Sequence, residues 1–321
     1  MFAVLFPGQG AQFVGMGADL FGDGPDWLGE PANTALGWDL ADLCLNGPED
    51  SLTRTEHAQP ALYSLSVALW QLLAEALRKA DLRPVAMAGH SLGEYSALAA
   101  AGALSPEGGL RLVAERGEAM AQAADAADSG MAALMGGTRE SAEDLCSARR
   151  DAGGSLWVAN LNSPGQVVVA GGADDLEWAA EEARSFGIRR VIPLAVAGAF
   201  HTPFMDPARA RLVAALETAE IGNPEPAVWS NVSAAPLTAS NIRDMLSRQI
   251  VSPVRFEETL AGLFASGVKT FVHVGPGDVT AGLVRRTVKD ATVVVVNEKA
   301  GIADAVDELR RPGTMPGIEE T

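Results

Sequence analysis

The chain has 321 residues, a length typical of about two average domains. Hydrophobic residues make up 48% and charged residues 20%, which supplies a packed core and excludes disorder as the main state. The 24 basic and 41 acidic residues give a net charge of −17, so the chain lacks the basic surplus that general nucleic-acid binding requires.

The chain has two cysteines, Cys44 and Cys146, which excludes a disulfide framework and a cysteine-rich zinc site. We therefore expect a reducing, cytoplasmic compartment and no bound metal. Residues 1–8 read MFAVLFPG, with no basic segment and no long apolar run. They predict neither a signal peptide nor a membrane span.

Apolar runs that alternate with helical periodicity predict an α/β fold outside residues 128–195. Pro60 is placed in the first turn of the first of these helices, where a missing N–H is tolerated. The predicted strands are 2–7, 84–89, 227–232, 269–274 and 291–296. The predicted helices are 60–80, 94–101, 109–127, 254–266 and 278–288.

Residues 128–195, which lie between the two α/β parts of the chain, show a different pattern. It predicts strands at 130–136, 156–161, 166–170 and 188–194, with helices at 138–150 and 173–186. That β-α-β-β-α-β order is typical of a ferredoxin-like unit. We therefore predict a discontinuous large domain (1–127 and 196–310), an inserted small domain (128–195) and a disordered tail (311–321).

Gly89-His90-Ser91-Leu92-Gly93 fits the pattern G-x-S-x-G between a predicted strand and a predicted helix. Such a turn lifts a serine hydroxyl out of the sheet edge, and small residues on both sides relieve the crowding. The alternative is an ordinary glycine-rich turn, against which the flanking strand and helix argue.

A nucleophilic serine needs a base, and the chain has four histidines. His90 adjoins Ser91, so its ring is expected to point away from the hydroxyl. His273 lies in an apolar strand, which predicts a core histidine, and His57 lies at a helix start, which predicts a capping or surface role. His201 follows a strand in a loop and is the candidate base.

Five motifs occur in the order known from one family: FPGQGAQ at 6–12, GHSLGEY at 89–95, ANLNSPGQ at 159–166, GAFH at 198–201 and VGPG at 274–277. Together they resemble the malonyl-CoA:acyl carrier protein transacylases, which include the acyltransferase domains of polyketide synthases. The resemblance covers residues 2–298. It implies an α/β fold in which a hydrolase-like large domain with a parallel sheet carries an inserted ferredoxin-like small domain, with the active site between them.

The resemblance also implies site residues. Ser91 would be the acylated nucleophile and His201 the general base, oriented by the backbone carbonyl of Gln249 rather than by an acid. The backbone N–H groups of Gln9 and Leu92 would form the oxyanion hole. Asp206 is the nearest carboxylate after His201, and we expect it to cap a helix.

Arg116 resembles the family's substrate arginine, whose guanidinium binds the free malonyl carboxylate in a bidentate way. Phe200 resembles the bulky pocket residue of malonyl-selective members. Two positions depart from the family pattern, Gly198 and Thr280, and the first could widen the acyl pocket.

The implied reaction is ping-pong transfer of malonyl from malonyl-CoA, through a Ser91 ester, to the phosphopantetheine thiol of an acyl carrier protein. It needs no permanently bound cofactor, and we expect a monomer. The carrier would dock on local basic residues, for which the candidates are Arg184, Arg189, Arg190, Arg285, Arg286 and Lys289.

Three alternatives remain at this point. The enzyme could carry a substituted malonyl or a carrier-bound acyl group, or hydrolyse acyl groups from stalled carriers. A docking module without activity is disfavoured by the intact candidate site. The sequence does not separate fatty-acid from polyketide synthesis.

Overall fold

The computed structural model describes residues 1–311. Its larger sheet is parallel, with strand order β7-β2-β1-β8-β9. These strands are β1 (Phe2–Phe6), β2 (Ala86–Gly89), β7 (Ala227–Trp229), β8 (Thr270–Val274) and β9 (Thr292–Val296).

Helices cover both faces of this sheet, because its short apolar strands direct alternate side chains to opposite sides. Phe2, Val4 and Phe6 of β1 belong to the main core, whereas Ala3 and Leu5 face a second layer. The helices before the small sheet are α1 (Glu30–Leu36), α2 (Leu40–Asn46), α3 (Glu49–Thr53), α4 (Thr55–Lys79), α5 (Gly93–Ala100) and α6 (Pro106–Asp125). Those after it are α9 (Asp206–Thr218), α10 (Ile242–Gln249), α11 (Phe256–Ala265), α12 (Val279–Thr287) and α13 (Gly301–Arg310).

The smaller sheet is antiparallel, with strand order β4-β5-β3-β6. Two helices pack on it, so the chain order is β-α-β-β-α-β, and the ferredoxin-like pattern expected from the sequence is confirmed. Its elements are β3 (Ser129–Met135), α7 (Arg139–Asp151), β4 (Leu156–Ser163), β5 (Gln166–Gly172), α8 (Ala173–Glu182) and β6 (Arg190–Pro193).

Strand β4 of the small sheet is hydrogen-bonded to the segment that follows α10. Leu161 donates its N–H to the Val254 carbonyl at 2.8 Å, and Val254 donates to Ala159 at 2.9 Å. This pairing joins the small sheet to the large domain, and two residues of the same strand, Asn160 and Asn162, line the cleft between the two sheets.

Helix α4 has the length and composition to cross a membrane, with a mean hydropathy of 1.2 over its most apolar stretch. In this fold 72% of that stretch is buried, and the helix packs against α6. Its apolar character is accounted for by its position in the core.

The structure corrects several predicted boundaries. Helix α4 begins at Thr55, so Pro60 lies inside it rather than in its first turn. Strand β7 ends at Trp229, which leaves Ser230 and Asn231 in the following turn. Helices α1 to α3 were not predicted because five to seven residues are too few to display a helical period.

The domain boundaries at 127/128 and 195/196 stay a prediction. The tail predicted at 311–321 lies outside the described residues from residue 312 onward.

Candidate active site

Ser91 lies on the sharp turn between β2 and α5, at the carboxyl end of the parallel sheet. Its φ of +50° falls in the left-handed region, which L-residues rarely adopt. The turn directs the hydroxyl toward the cleft at the N-terminus of α5, where peptide dipoles favour negative charge.

The two glycines of the turn are required by close backbone approach. A Cβ on Gly89 would lie 1.9 Å from the Gly93 carbonyl carbon, and a Cβ on Gly93 would lie 2.4 Å from the Phe6 carbonyl oxygen. The pattern G-x-S-x-G therefore follows from the packing of this turn against itself and against β1.

His201 lies beside Ser91, in the segment that leads from the small sheet back to the larger one. Its Nε2 is 2.7 Å from Ser91 Oγ, and its Nδ1 is 2.8 Å from the Gln249 carbonyl oxygen. A carbonyl only accepts, so Nδ1 carries the proton and Nε2 is free to accept the Ser91 hydroxyl proton. Asp206 lies in the first turn of α9 with an exposed carboxylate, 4.0 Å from Arg209.

The surroundings of His201 keep its ring neutral. Burial lowers its pKa from 6.5 to about 3, and the positive charge of Arg116 adds to this effect. The hydrogen bond to the Gln249 carbonyl acts in the opposite direction. At neutral pH the ring is therefore in the form that accepts a proton.

Gln9 and Leu92 both line the cleft beside Ser91. Neither backbone N–H is engaged by an acceptor within residues 1–311. The Gln9 side chain donates to Thr55 Oγ1 at 3.2 Å, which anchors the loop after β1. Free backbone N–H groups close to a nucleophile are the donors that stabilise an oxyanion.

Arg116 projects from α6 into the base of the cleft and is 1% exposed. Its Nη2 donates to Ser91 Oγ at 3.0 Å and to Gln249 Oε1 at 3.1 Å, and its Nη1 donates to Gln59 Oε1. Nε has no hydrogen-bond partner within residues 1–311. Arg116 forms no direct ion pair within residues 1–311, so this buried guanidinium with spare donors is suited to bind an anionic ligand.

A network of buried polar side chains holds the groups of this site in place. Asn231 accepts from the Ser91 N–H at 2.7 Å and donates to the Gly89 carbonyl at 2.7 Å, so it holds the turn on both sides. The Gln249 amide donates to the Ser91 carbonyl at 2.9 Å and to Glu94 Oε2 at 2.7 Å. Backbone and side chain of Gln249 thus hold the base and the nucleophile together.

The cleft has a volume of about 450 Å³ and is lined from both sheets. Phe200 contributes to its wall and is 5% exposed. Gly198 does not widen it, because a Cβ there would lie 2.6 Å from the Ala124 Cβ. Thr280 points elsewhere and lies 2.6 Å from His273 Nδ1.

The other histidines have structural contacts. The His90 ring turns away from Ser91, with Nε2 2.7 Å from Asn162 Oδ1 of the small sheet. His273 is fully buried, and its Nε2 lies 3.0 Å from the Gly275 carbonyl, which confirms a satisfied core histidine. His57 lies within α4 and contacts the Ser51 carbonyl at 2.9 Å.

The basic docking candidates are exposed. One of them, Arg286 on α12, donates to Gln166 Oε1 at 2.7 Å, and Gln166 lines the cleft. None of the six candidate side chains is itself among the residues that line the cleft. Residues 1–311 contain no cluster of three or more His, Cys, Asp or Glu side chains that could hold a metal ion.

Sequence reasoning missed Gln59, Asn231 and the contacts of Glu94. Asn231 carried a usable signal, because polar residues that follow a parallel strand gather at the carboxyl edge of the sheet. Gln59 and Glu94 lie on helices whose facing partners become known only from tertiary packing.

Comparison with known proteins agrees with this geometry. The chain matches the acyl transferase domain family over residues 3–311. The malonyl CoA-acyl carrier protein transacylase of Bacillus subtilis is 40% identical over 311 residues, covering 96% of this chain and 97% of that protein.

Solved structures of related proteins are similar to this chain over nearly its whole length. The acyl carrier protein S-malonyltransferase of Vibrio cholerae superposes with a TM-score of 0.88 at 38% identity, covering 95% of this chain and 99% of that one. A malonyl-transacylase solved in complex with its type II polyketide synthase acyl carrier protein gives 0.89 at 38% identity, covering 96% and 99%. The chain therefore belongs to the acyl transferase domain family, among the malonyl-CoA:acyl carrier protein transacylases.

Proposed function

We propose that this protein transfers a malonyl group from malonyl-CoA to the phosphopantetheine thiol of an acyl carrier protein, through an ester on Ser91. The observation that carries the proposal is the buried Arg116 guanidinium, whose Nη2 lies 3.0 Å from Ser91 Oγ. An acyl group on Ser91 that ends in a carboxylate would place that charge beside the guanidinium. A neutral acyl group would bring no negative charge to the guanidinium.

In the first half-reaction Ser91 Oγ attacks the thioester carbonyl and His201 Nε2 accepts its proton. The oxyanion forms against the N–H groups of Gln9 and Leu92, and losing one such donor costs roughly 100- to 1000-fold in rate. The tetrahedral intermediate expels the coenzyme A thiolate, which takes the proton from His201. A malonyl ester on Ser91 remains.

In the second half-reaction the phosphopantetheine thiol gives its proton to His201 and attacks the ester carbonyl. Collapse of the intermediate returns the proton to Ser91 Oγ and releases the malonyl thioester of the carrier. The substrate also helps the base, because a carboxylate at Arg116 offsets the positive charge that lowers the His201 pKa. This mechanism needs no permanently bound cofactor, because coenzyme A arrives with the malonyl donor and phosphopantetheine arrives with the carrier protein.

Acetyl and malonyl donors would be separated by Arg116, and malonyl and methylmalonyl donors by Phe200. The Phe200 ring lies in the cleft wall beside His201, so it limits the space at the α-carbon. A pocket of this kind discriminates one methyl group by about 1–3 kcal/mol.

For carrier docking we favour the α12 face, with Arg285 and Arg286, over the small-sheet arginines. Its support is the bond from Arg286 to Gln166 at the cleft. Replacing Arg285 and Arg286 by Glu is expected to slow discharge to the carrier and leave acylation by malonyl-CoA unchanged. The control is the same change at Arg184 and Arg190, and an equal loss in both half-reactions would contradict this docking face.

Intact-protein mass spectrometry tests the proposed function. Wild type and Ser91→Ala would be mixed with malonyl-CoA, methylmalonyl-CoA or acetyl-CoA, and then with holo carrier protein. We expect a malonyl adduct on wild type alone, discharged by the carrier. Release of free malonate faster than transfer would instead identify a hydrolase, and no adduct from any CoA donor would indicate a carrier-bound acyl donor.

A further inference from the structure

Glu94 is a fully buried carboxyl that the reaction described above does not use. It lies in the first turn of α5, three residues after Ser91. Its Oε2 accepts from the Asn231 N–H at 3.1 Å and from Gln249 Nε2 at 2.7 Å. Its Oε1 is buried and has no hydrogen-bond partner within residues 1–311.

The Gln249 side chain connects this carboxyl to the substrate arginine. Its Oε1 accepts from Arg116 Nη2 at 3.1 Å, while its Nε2 donates to Glu94. One amide therefore bridges a buried guanidinium and a buried carboxyl, with each end of the amide oriented correctly for the charge it meets. Arg116 takes part in no direct ion pair within residues 1–311.

Buried charges are stable only when an opposite charge lies nearby. Within residues 1–311, Glu94 is the carboxyl whose charge acts on Arg116. When a substrate carboxylate binds the same guanidinium, two negative charges share one positive charge. The unpartnered Oε1 allows Glu94 to lose its charge, because a proton there leaves both hydrogen bonds to Oε2 intact.

Among residues 1–311, few charged or titratable groups lie around Glu94. Arg116 faces it from α6, and Tyr95 is its neighbour on α5. The turn after β7 contributes the neutral Ser230 and Asn231, and α10 contributes the neutral Gln249. Burial raises the Glu94 pKa from 4.5 to about 7, against the lowering effects of its hydrogen bonds and of Arg116, so the carboxyl titrates near neutral pH.

We propose that Glu94 is the counter-charge of Arg116 in the unloaded enzyme and takes up a proton from solvent when the malonyl carboxylate binds Arg116, with the Gln249 amide linking the two. The inference rests on the proposed function, since it requires that carboxylate at Arg116. It makes malonyl binding pH-dependent and assigns Glu94 a positioning role, because its charge acts on substrate through Arg116.

Calorimetry tests proton uptake directly. Malonyl-CoA and acetyl-CoA would be titrated into Ser91→Ala, which binds without acylation, in buffers of different ionisation enthalpy at pH 7.5. The coenzyme A phosphates are common to both ligands, so the difference isolates the carboxylate. We expect malonyl-CoA to take up about 0.5–0.8 proton more than acetyl-CoA, as a group with a pKa near 7 allows.

The matched variant is Glu94→Gln in the same background. Its amide oxygen can accept both hydrogen bonds in place of Oε2, with the NH₂ group in place of Oε1, so shape is kept and charge is lost. The proton difference is expected to disappear. In the active enzyme, KM for malonyl-CoA is expected to rise up to tenfold per pH unit above about pH 7 in wild type and to stay level in Glu94→Gln.

Should Glu94→Gln fail to fold, infrared difference spectra of wild type with ¹³C-labelled malonyl decide the question. The carbonyl band of a protonated carboxylic acid is expected to appear on loading. No such band, a proton difference of zero, or an unchanged difference in Glu94→Gln would overturn the inference about Glu94. Equal binding of malonyl-CoA and acetyl-CoA would instead contradict the carboxylate site at Arg116, and with it the proposed function.

Discussion

Replacement of Arg116 by Met tests the chemistry of the cleft most directly. Met keeps much of the length of the side chain and removes its charge and donors. The guanidinium is 1% exposed, so a carboxylate bound there is shielded from water. Removing one partner of such a buried charge pair costs about 2–5 kcal/mol.

At 1.4 kcal/mol per factor of ten, this cost predicts a fall of roughly 30- to 4000-fold in kcat/KM for acylation by malonyl-CoA. Acetyl-CoA has no carboxylate to lose, and both donors share the loss of the 3.0 Å hydrogen bond to Ser91 Oγ. The ratio of malonyl to acetyl kcat/KM is therefore the informative quantity. Arg116→Lys should lie between wild type and Arg116→Met, since an ammonium cannot form the bidentate pair.

The assay is a time course of Ser91 adduct formation by intact-protein mass spectrometry, with thermal unfolding recorded for each variant. Arg111→Met is the control, because Arg111 lies on the same helix α6 and is exposed. If malonyl and acetyl rates fall by the same factor in Arg116→Met, the guanidinium does not bind the acyl carboxylate and the reasoning is refuted.

Three further predictions concern the base, the pocket and the turn. Because the pKa of His201 is lowered to about 3, its ring stays neutral in mild acid. The value of kcat/KM for acylation should therefore not fall as the pH is lowered from 8 to about 5. A fall centred near pH 6.5, the ordinary pKa of histidine, would contradict this prediction. Phe200→Ser should raise the methylmalonyl to malonyl rate ratio roughly 10- to 200-fold in competition assays. The control Phe204→Ser should leave that ratio unchanged, because the Phe204 ring packs against Trp157, with 5.8 Å between the two ring centroids. Gly89→Ala should cost about 3 kcal/mol of unfolding free energy by denaturant titration, the upper end of the usual range for overpacking, because its Cβ would lie 1.9 Å from the Gly93 carbonyl carbon. Gly282→Ala should be neutral or stabilising, because no atom of residues 1–311 lies within 4 Å of the added Cβ. Equal losses at both glycines would refute the steric argument.

Local sequence signals predicted most of the fold because they depend on periods that a short window contains. Strands β1 and β8 begin and end within one residue of their predicted bounds. Helix α6 ends two residues before its predicted end and begins three residues before its predicted start. Helices α1 to α3, α9, α10 and α13 escaped prediction. Some of these helices are too short to show a helical period. The others depend on contacts with distant parts of the chain, which a short stretch of sequence does not reveal.

The turn that carries Ser91 could be read from the sequence because its requirements are local. Gly89 and Gly93 are demanded by contacts within one strand-turn-helix unit and the strand beside it, and those contacts leave a fixed spacing in the chain. The expectation for His273 was likewise local, since an apolar strand contains it.

Tertiary structure alone decided how the distant groups act on one another. Ser91 and His201 are 110 residues apart, and the amide of Gln249 meets Glu94 across 155 residues. No periodicity records such contacts, because each depends on where the large and small sheets place the ends of their strands and helices. The sequence by itself determined which residues could carry the chemistry, and the packing of the two sheets decided their distances, their burial and therefore their charge states.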